Sequence, residues 1–291
     1  MVKTYSQLYL DARKALLEAE GADGASFIAR QLLCHASGKS HQQLLTDREL
    51  YASESICSAM DALVDRALKQ EPLAYLLGQW EFYGLTLTVD PRVLIPRDDT
   101  CAVTDLALKA ASNLEGKIRI LDLCTGSGCI GLALASRMES ARVTLADVSK
   151  DALAVARKNA SDLGLSSRVS CLELDIRNKP SAFLGTFDLI VSNPPYITTE
   201  EMCQLPESVA LYEPQLALHG GQDGLDLYRS IIENFTGAIK PGGYLCLEFG
   251  LGQGNAICTL LEENGYLILE RSRDYNDRER AVLAQRNRKD D

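Results

Sequence analysis

Ile120-Leu121-Asp122-Leu123-Cys124-Thr125-Gly126-Ser127-Gly128 is an apolar run that breaks directly into a glycine-rich turn. A short continuous apolar run bounded by a turn signal reads as a strand buried on both faces. The glycines let the backbone bend tightly and approach a ligand closely, where a Cβ would intervene. Outward from this stretch the same rhythm recurs. Strand-like runs at 118–123, 142–147, 168–174, 187–192, 243–249 and 265–271, and a short last one near 281–284, alternate with helical patterns. The helices fall near 100–112, 129–138, 149–162, 225–238 and 253–263. Alternation with short links predicts a mostly parallel, doubly wound α/β sheet with helices on both faces. Ligands of such sheets bind beyond the carboxyl ends of the strands, and the glycine turn lies at one of those ends.

A second strand end carries chemistry. Phe187-Asp188-Leu189-Ile190-Val191-Ser192 runs into Asn193-Pro194-Pro195-Tyr196. Each proline fixes φ at about −65° and lacks an N–H, so the backbone is stiff and offers carbonyls without competing donors. A carboxamide, a carbonyl and an aromatic ring at one spot suit a planar, weakly nucleophilic nitrogen. That combination points to methyl transfer onto an amide or amino nitrogen. Asn-Pro is also an ordinary turn signal after a strand, and the neighbouring segments decide between the two.

At the other end of the crevice, Asp147 closes the strand that follows the glycine turn, where its carboxylate can accept both hydroxyls of a ribose. Gly126-Ser127-Gly128-Cys129-Ile130-Gly131 also satisfies G-x-G-x-x-G, so the pattern alone admits NAD as well as S-adenosylmethionine. Three details favour the methyl donor. Asp122 sits in the strand, able to order the loop through backbone amides. Cys124 and Thr125 widen the loop before its first glycine, leaving no tight cradle for a pyrophosphate. An NAD reading also leaves Asn193 to Tyr196 unexplained. The turn from Cys124 through Thr125, Gly126 and Ser127 to Gly128 would then hold the cofactor with Asp147 and Asn193. Asp175 would accept from the adenine amine while Ile176 covers a ring face.

The first seventy residues read as helices. Thr4 caps a segment ended by Gly21, Asp23-Gly24 opens a second closed around Gly38, a short turn follows Ser40, and Ser53 begins another that Glu71-Pro72 stops. Residues 79–83 and 85–89, separated by Gly84, read as a β-hairpin. The expected domains are a helical module over 1–75, a hairpin linker over 76–97 and a catalytic domain over 98–291.

Bulk properties exclude several classes. The chain of 291 residues is 46% hydrophobic and 24% charged, an ordinary globular composition. No run approaches the ~20 apolar residues that cross a bilayer. The start lacks the apolar core of a signal peptide, so cytoplasmic residence and no membrane partner are expected. A net charge of −10 argues against clamping long phosphate backbones, and no direct nucleic-acid partner is expected. Arg271, Arg273, Arg278, Arg280, Arg286, Arg288 and Lys289 read as a solvated basic tail. Nine scattered cysteines without a C-x-x-C pair fit reduced thiols, and three histidines at no ligand spacing argue against a metal site. A Ser-His-Asp hydrolase has no G-x-S-x-G here to support it.

Over nearly its whole length the chain resembles the bacterial peptide chain release factor glutamine methyltransferases, the HemK/PrmC family. The segments that carry the resemblance are Glu71-Pro72-Leu73-Ala74-Tyr75, Val93-Leu94-Ile95-Pro96-Arg97, the glycine turn and Asn193-Pro194-Pro195-Tyr196. Tyr212-Glu213-Pro214-Gln215-Leu216-Ala217-Leu218, Gly220-Gly221-Gln222-Asp223-Gly224 and Gly242 through Glu248 follow in order. The resemblance implies a seven-stranded Rossmann-like class I methyltransferase domain. It also implies methyl transfer from S-adenosylmethionine, leaving S-adenosylhomocysteine, to the side-chain amide nitrogen of the GGQ glutamine of class I release factors. The N-terminal module would help to hold that protein substrate. Cys124 stands where the family usually has glycine, Asp98 and Cys101 where it has proline and glutamate, and Phe249 where it has histidine. Asn193, Pro194, Pro195 and Tyr196 would be catalytic, with Tyr196 stacked on the substrate amide. Two other readings are a nucleic-acid amino methyltransferase using the same loop, and a non-catalytic binding protein that keeps the fold.

Overall fold

The computed structural model describes residues 3–287; residues 1, 2 and 288–291, with Arg288 and Lys289 of the basic C-terminal stretch among them, lie outside the described residues. The chain forms two compact units. One takes the chain up to Gln79 together with Pro206–Tyr212; the other takes Trp80–Leu205 and the chain from Glu213 onward.

The first unit is helical. Helix Tyr5–Ser37 starts at a capping box in which Thr4 and Gln7 satisfy each other's amides. Gly21, at φ 68 and ψ 178, leaves the helical path, so this span is the two expected helices joined at a kink. Helix His41–Thr46, capped by Ser40, occupies the expected turn, and Glu54–Leu68 follows. Pro72 stops that region and also opens a further short helix, Leu73–Leu77, because the first helical positions need no N–H. Leu8, Leu16, Leu32 and Met60 centre this unit's own core. Helix Glu207–Tyr212 belongs to the same unit, and Tyr212 Oη donates to the Lys69 carbonyl at 2.7 Å.

Hairpin strands β1 (Gln79–Phe82) and β2 (Leu85–Thr88) open the second unit from Trp80 onward. Tyr83 and Gly84 both take positive φ, 54 and 76, as a two-residue turn between twisted strands requires. The hairpin is no free-standing linker. Phe82 and Leu87 are buried with Val103, Ile120 and Leu189, so it forms part of this unit's core.

The main sheet holds β3 (Ile118–Leu123), β4 (Ala141–Asp147), β5 (Val169–Glu173), β6 (Phe187–Ser192), β7 (Ile239–Glu248), β8 (Tyr266–Arg273) and β9 (Glu279–Arg286). These seven strands run in the order β5-β4-β3-β6-β7-β9-β8, with β9 antiparallel to both neighbours. β7 begins earlier than expected, at Ile239, where Lys240-Pro241-Gly242-Gly243 shifts the register against Phe187 and Leu189. The described part of the basic stretch is not a solvated tail: Arg271 on β8 pairs with Glu279, and Arg280 on β9 pairs with Asp274 and with Asp99 of the turn Asp98–Thr100. Chain order reverses between β3 and β6, and this is the point at which open sheets bind ligands.

Candidate active site

At that reversal β3 and β6 are parallel neighbours with Leu123 opposite Ser192. Ser192 Oγ donates to the Leu123 carbonyl at 2.7 Å, so the glycine turn and Asn193 leave the sheet side by side. A cavity of about 760 Å³ opens there, of a size suited to a small-molecule ligand. Its wall includes Cys124, Thr125, Gly126 and Ser127 from the turn, Asp147, Asp175 and Ile176 beyond the next strands, and Asn193 and Pro195.

Gly128, Pro194 and Tyr196 are not on that wall. Gly128, at φ 85, heads helix Cys129–Arg137, and a Cβ on it would press on Leu132 and Leu145 at 3.0 and 3.1 Å. Pro194 is buried. The Tyr196 ring lies against Gly250, where an added Cβ would sit 2.9 Å from its Cδ2, and borders a second hollow of about 290 Å³ with Leu205, Leu251 and Gln253. The Tyr196 ring packs against the β7 side of the core and is only partly buried there. Burial pushes its hydroxyl up to about 12, so it stays protonated.

Local chemistry orders the glycine turn. Asp122 is fully buried, and its Oδ2 accepts from Thr125 Oγ1 at 2.5 Å and Gly131 N at 3.0 Å. Burial raises this carboxyl to about 7. Asp147 accepts from Gly126 N and Ser149 N, each at 2.9 Å, and each oxygen keeps a lone pair for a further donor. A Cβ on Gly126, at φ 53, would meet no protein atom within 4 Å, so the space beside the turn is open. Cys124 takes φ 56, a left-handed conformation that suits glycine better than cysteine. Asp175 is engaged by the Arg177 guanidinium, with Nη2 2.7 Å from Oδ2, and this pairing holds its carboxyl below the usual range.

The loop that carries Asn193 is clamped by hydrogen bonds to its main chain. Ile197 N donates to the Leu218 carbonyl at 2.9 Å, Gly220 N to the Ile197 carbonyl at 2.8 Å, and Gln253 Nε2 to the Tyr196 carbonyl at 3.0 Å. A Cβ on Gly220 would fall 2.7 Å from both the Pro195 carbonyl and Tyr196 Cα, and one on Gly224 would fall 2.3 Å from the Tyr196 carbonyl. Gly220 and Gly224 thus need glycine because backbone lies on backbone, and Gly221, at φ 97, because the Asp226 side chain fills the space of a Cβ.

Three residues that sequence reasoning did not assign also belong here. Glu213, whose side chain is 1% exposed, accepts from Ile95 N at 3.2 Å and pairs with Arg97, pinning the entering segment beside the cavity. Thr100 accepts from Asn193 Nδ2 at 3.3 Å. Glu248 is buried at the end of β7 next to both. The signal for Glu248 was an acid closing the apolar run Leu245-Cys246-Leu247, a costly place for a charge.

Two family models match the chain: the Methyltransferase small domain over residues 102–207 and the PrmC N-terminal domain over residues 7–78. A release factor glutamine methyltransferase of Clostridium acetobutylicum is 36% identical, with 88% of this chain and 89% of that protein covered. One of Moorella thermoacetica is 40% identical, covering 93% and 94%. Among solved structures, the hMettl16 catalytic domain in complex with MAT2A 3'UTR hairpin 6 superposes with a TM-score of 0.57 at 16% identity, over 72% of this chain and 77% of that one. At that identity the superposition speaks for the fold alone.

Proposed function

The chain belongs to the family of release factor glutamine methyltransferases, and we propose that it transfers a methyl group from S-adenosylmethionine to the N5 amide nitrogen of the GGQ glutamine of class I release factors. The observation that carries this reading is the adjacency of Asn193 and the glycine turn on one cavity wall at the sheet's reversal point. The residues there fit the donor. Asp147 retains acceptor capacity for ribose hydroxyls, Gly126 borders open space, and Ile176 offers an apolar surface to an adenine ring. Asp175 would bind the adenine amine only by sharing its Arg177 partner. When bound, S-adenosylmethionine supplies an electrophilic methyl carbon on a sulfonium.

An amide nitrogen is a poor nucleophile, and no side chain deprotonates it beforehand at neutral pH. The protein's part is placement and electrostatics. Asn193 Oδ1 accepts one substrate N–H, and the main-chain carbonyl of Pro194, whose own ring is buried between the two wall residues Asn193 and Pro195, accepts the other. Both bonds strengthen as positive charge grows on nitrogen, so they favour the transition state over the ground state, and the methylated nitrogen, then strongly acidic, releases one proton to water. Pro195 stiffens the loop, and Tyr196 supports it from the core side rather than touching the amide. The helical unit, matched by the PrmC N-terminal domain, serves to hold the release factor.

The test is mass spectrometry of a release factor after incubation with this protein and labelled methyl donor, with an RNA pool offered in parallel. One methyl on the GGQ glutamine is the expected result. Label on RNA and none on the factor overturns the reading.

A further inference from the structure

We propose that Glu248, acting with Thr100, is a positioning residue that occupies the N–H groups of the Asn193 carboxamide and so turns its oxygen toward the substrate amide. This rests on the function proposed above and adds to it a residue that does not touch substrate.

The topology brings the three residues together. In the parallel β6–β7 pair Ser192 lies opposite Leu247, so Asn193, just past the end of β6, and Glu248, the last residue of β7, are neighbours. Tyr228 Oη donates to the Glu248 carbonyl at 2.8 Å and fixes its main chain. The Glu248 side chain is buried, residue exposure being 1%, beside Thr100 and Asn193. Thr100 Oγ1 in turn accepts from Asn193 Nδ2 at 3.3 Å. A carboxamide has a donor end and an acceptor end. Neighbours that accept draw the donor end to themselves, and the acceptor end is left for the cavity that Asn193 lines. Core packing alone gives no reason for an acid here, and its second oxygen, Oε2, is buried without a hydrogen-bond partner.

The charged surroundings decide when this carboxyl ionises. Arg280 on β9 attracts the proton's departure, Asp99 opposes it, and these two pair with each other at 3.0 Å. Tyr196, Tyr228, Cys101 and Cys129 also face it and remain neutral. Burial outweighs all of these and pushes Glu248 up to about 8. The ionised carboxyl grips an N–H more strongly than the neutral one. Methyl transfer should therefore speed up as pH rises through about 8.

The experiment measures single-turnover methylation of a release factor against pH for the full chain and for Glu248→Gln and Glu248→Ala, with cofactor affinity by calorimetry. Glu248→Gln keeps an accepting carbonyl and should stay within about tenfold of the parent while losing the rise near pH 8. Glu248→Ala should lose about 10²-fold in rate, with cofactor affinity unchanged. Should that variant fail to fold, Thr100→Val and Thr100→Ser replace it, the serine restoring the rate that valine loses. A Glu248→Gln profile that keeps the rise, or full-rate Glu248→Ala or Thr100→Val, overturns the positioning role. So does a loss of cofactor affinity equal in Gln and Ala. A parent protein that leaves the release factor unmethylated overturns the functional reading first; normal parent activity with indifferent variants overturns only this inference.

Discussion

Asn193 is where local geometry meets chemistry, because a single carboxamide oxygen must recognise a nitrogen whose lone pair is spread into a carbonyl. Replacing it removes one positioned acceptor. Asn193→Ala should cut the single-turnover rate by about 10²-fold or more, while calorimetric titration of the cofactor should change little. A near-normal rate would reject its assignment. Cys124 presents the opposite case, a residue whose backbone conformation is worse than its side chain. Holding a non-glycine residue in the left-handed region costs about 1–2 kcal/mol. Glycine there would relieve that strain but would lose about 0.5–1 kcal/mol to the greater freedom of the unfolded chain. Cys124→Gly should thus move the denaturant midpoint only slightly upward, which equilibrium unfolding can read; a large destabilisation would show that the thiol's packing dominates. Asn193, the turn residues and Asp147 were legible because each sits at a strand end with distinctive chemistry. The placement of Tyr196 was not, since a ring after two prolines can face either side, and only Gly250 across the loop decides it.

Elements are held to one another by a few buried polar groups that no periodicity announces. Asn159, 1% exposed in helix Lys150–Asp162, accepts from Thr88 N at 2.7 Å and donates to the Thr88 and Ser127 carbonyls at 3.0 and 2.9 Å. It therefore ties the hairpin and the glycine turn to one helix. Asn159→Ala strands these backbone groups, and destabilisation of about 1–3 kcal/mol is expected for each buried group left unpaired. Urea unfolding would measure it, and a change under about 0.5 kcal/mol, the surface-mutation scale, would show that water replaces the amide. The strands were read well because runs such as Phe187 to Ser192 are apolar on both faces. The start of β7 was missed because Pro241-Gly242-Gly243 looks like a turn and only pairing with β6 makes it a strand. Helix Leu73–Leu77 was missed because Pro72 signals an end and a beginning alike. Glu213 and Arg97, far apart in sequence, were each visible as motif members, but their pairing is a fact of tertiary structure.

At the scale of the whole molecule, buried acids give stability an unusual pH slope. Burial sets Asp122 at about 7 and Glu248 at about 8, above the about 4 of exposed carboxyls. Between those limits the folded chain holds protons that the unfolded chain has released. Their contribution is thus complete below about pH 4 and drains away as pH climbs through about 7 and 8. Asp90, Asp175 and Asp223 are pulled in the other direction by arginines, so their effects are confined to more acid solution. The denaturant midpoint should fall from about pH 6 to about pH 9, and fall less steeply in Glu248→Gln. A flat or rising midpoint would mean that these carboxyls are already ionised in the native protein.

The two compact units also differ in how the chain composes them. Pro206–Tyr212 returns to the helical unit after most of the sheet has been built. Proteolytic nicking at one bond after Gln79 could not, for that reason, release two self-sufficient halves. The larger fragment would carry away helix Glu207–Tyr212 and with it the Tyr212 hydroxyl, severed from its carbonyl on Lys69. Synthesis of the helical unit is likewise finished only when a late stretch of polypeptide has emerged, so its maturation must wait for its neighbour to be well under way.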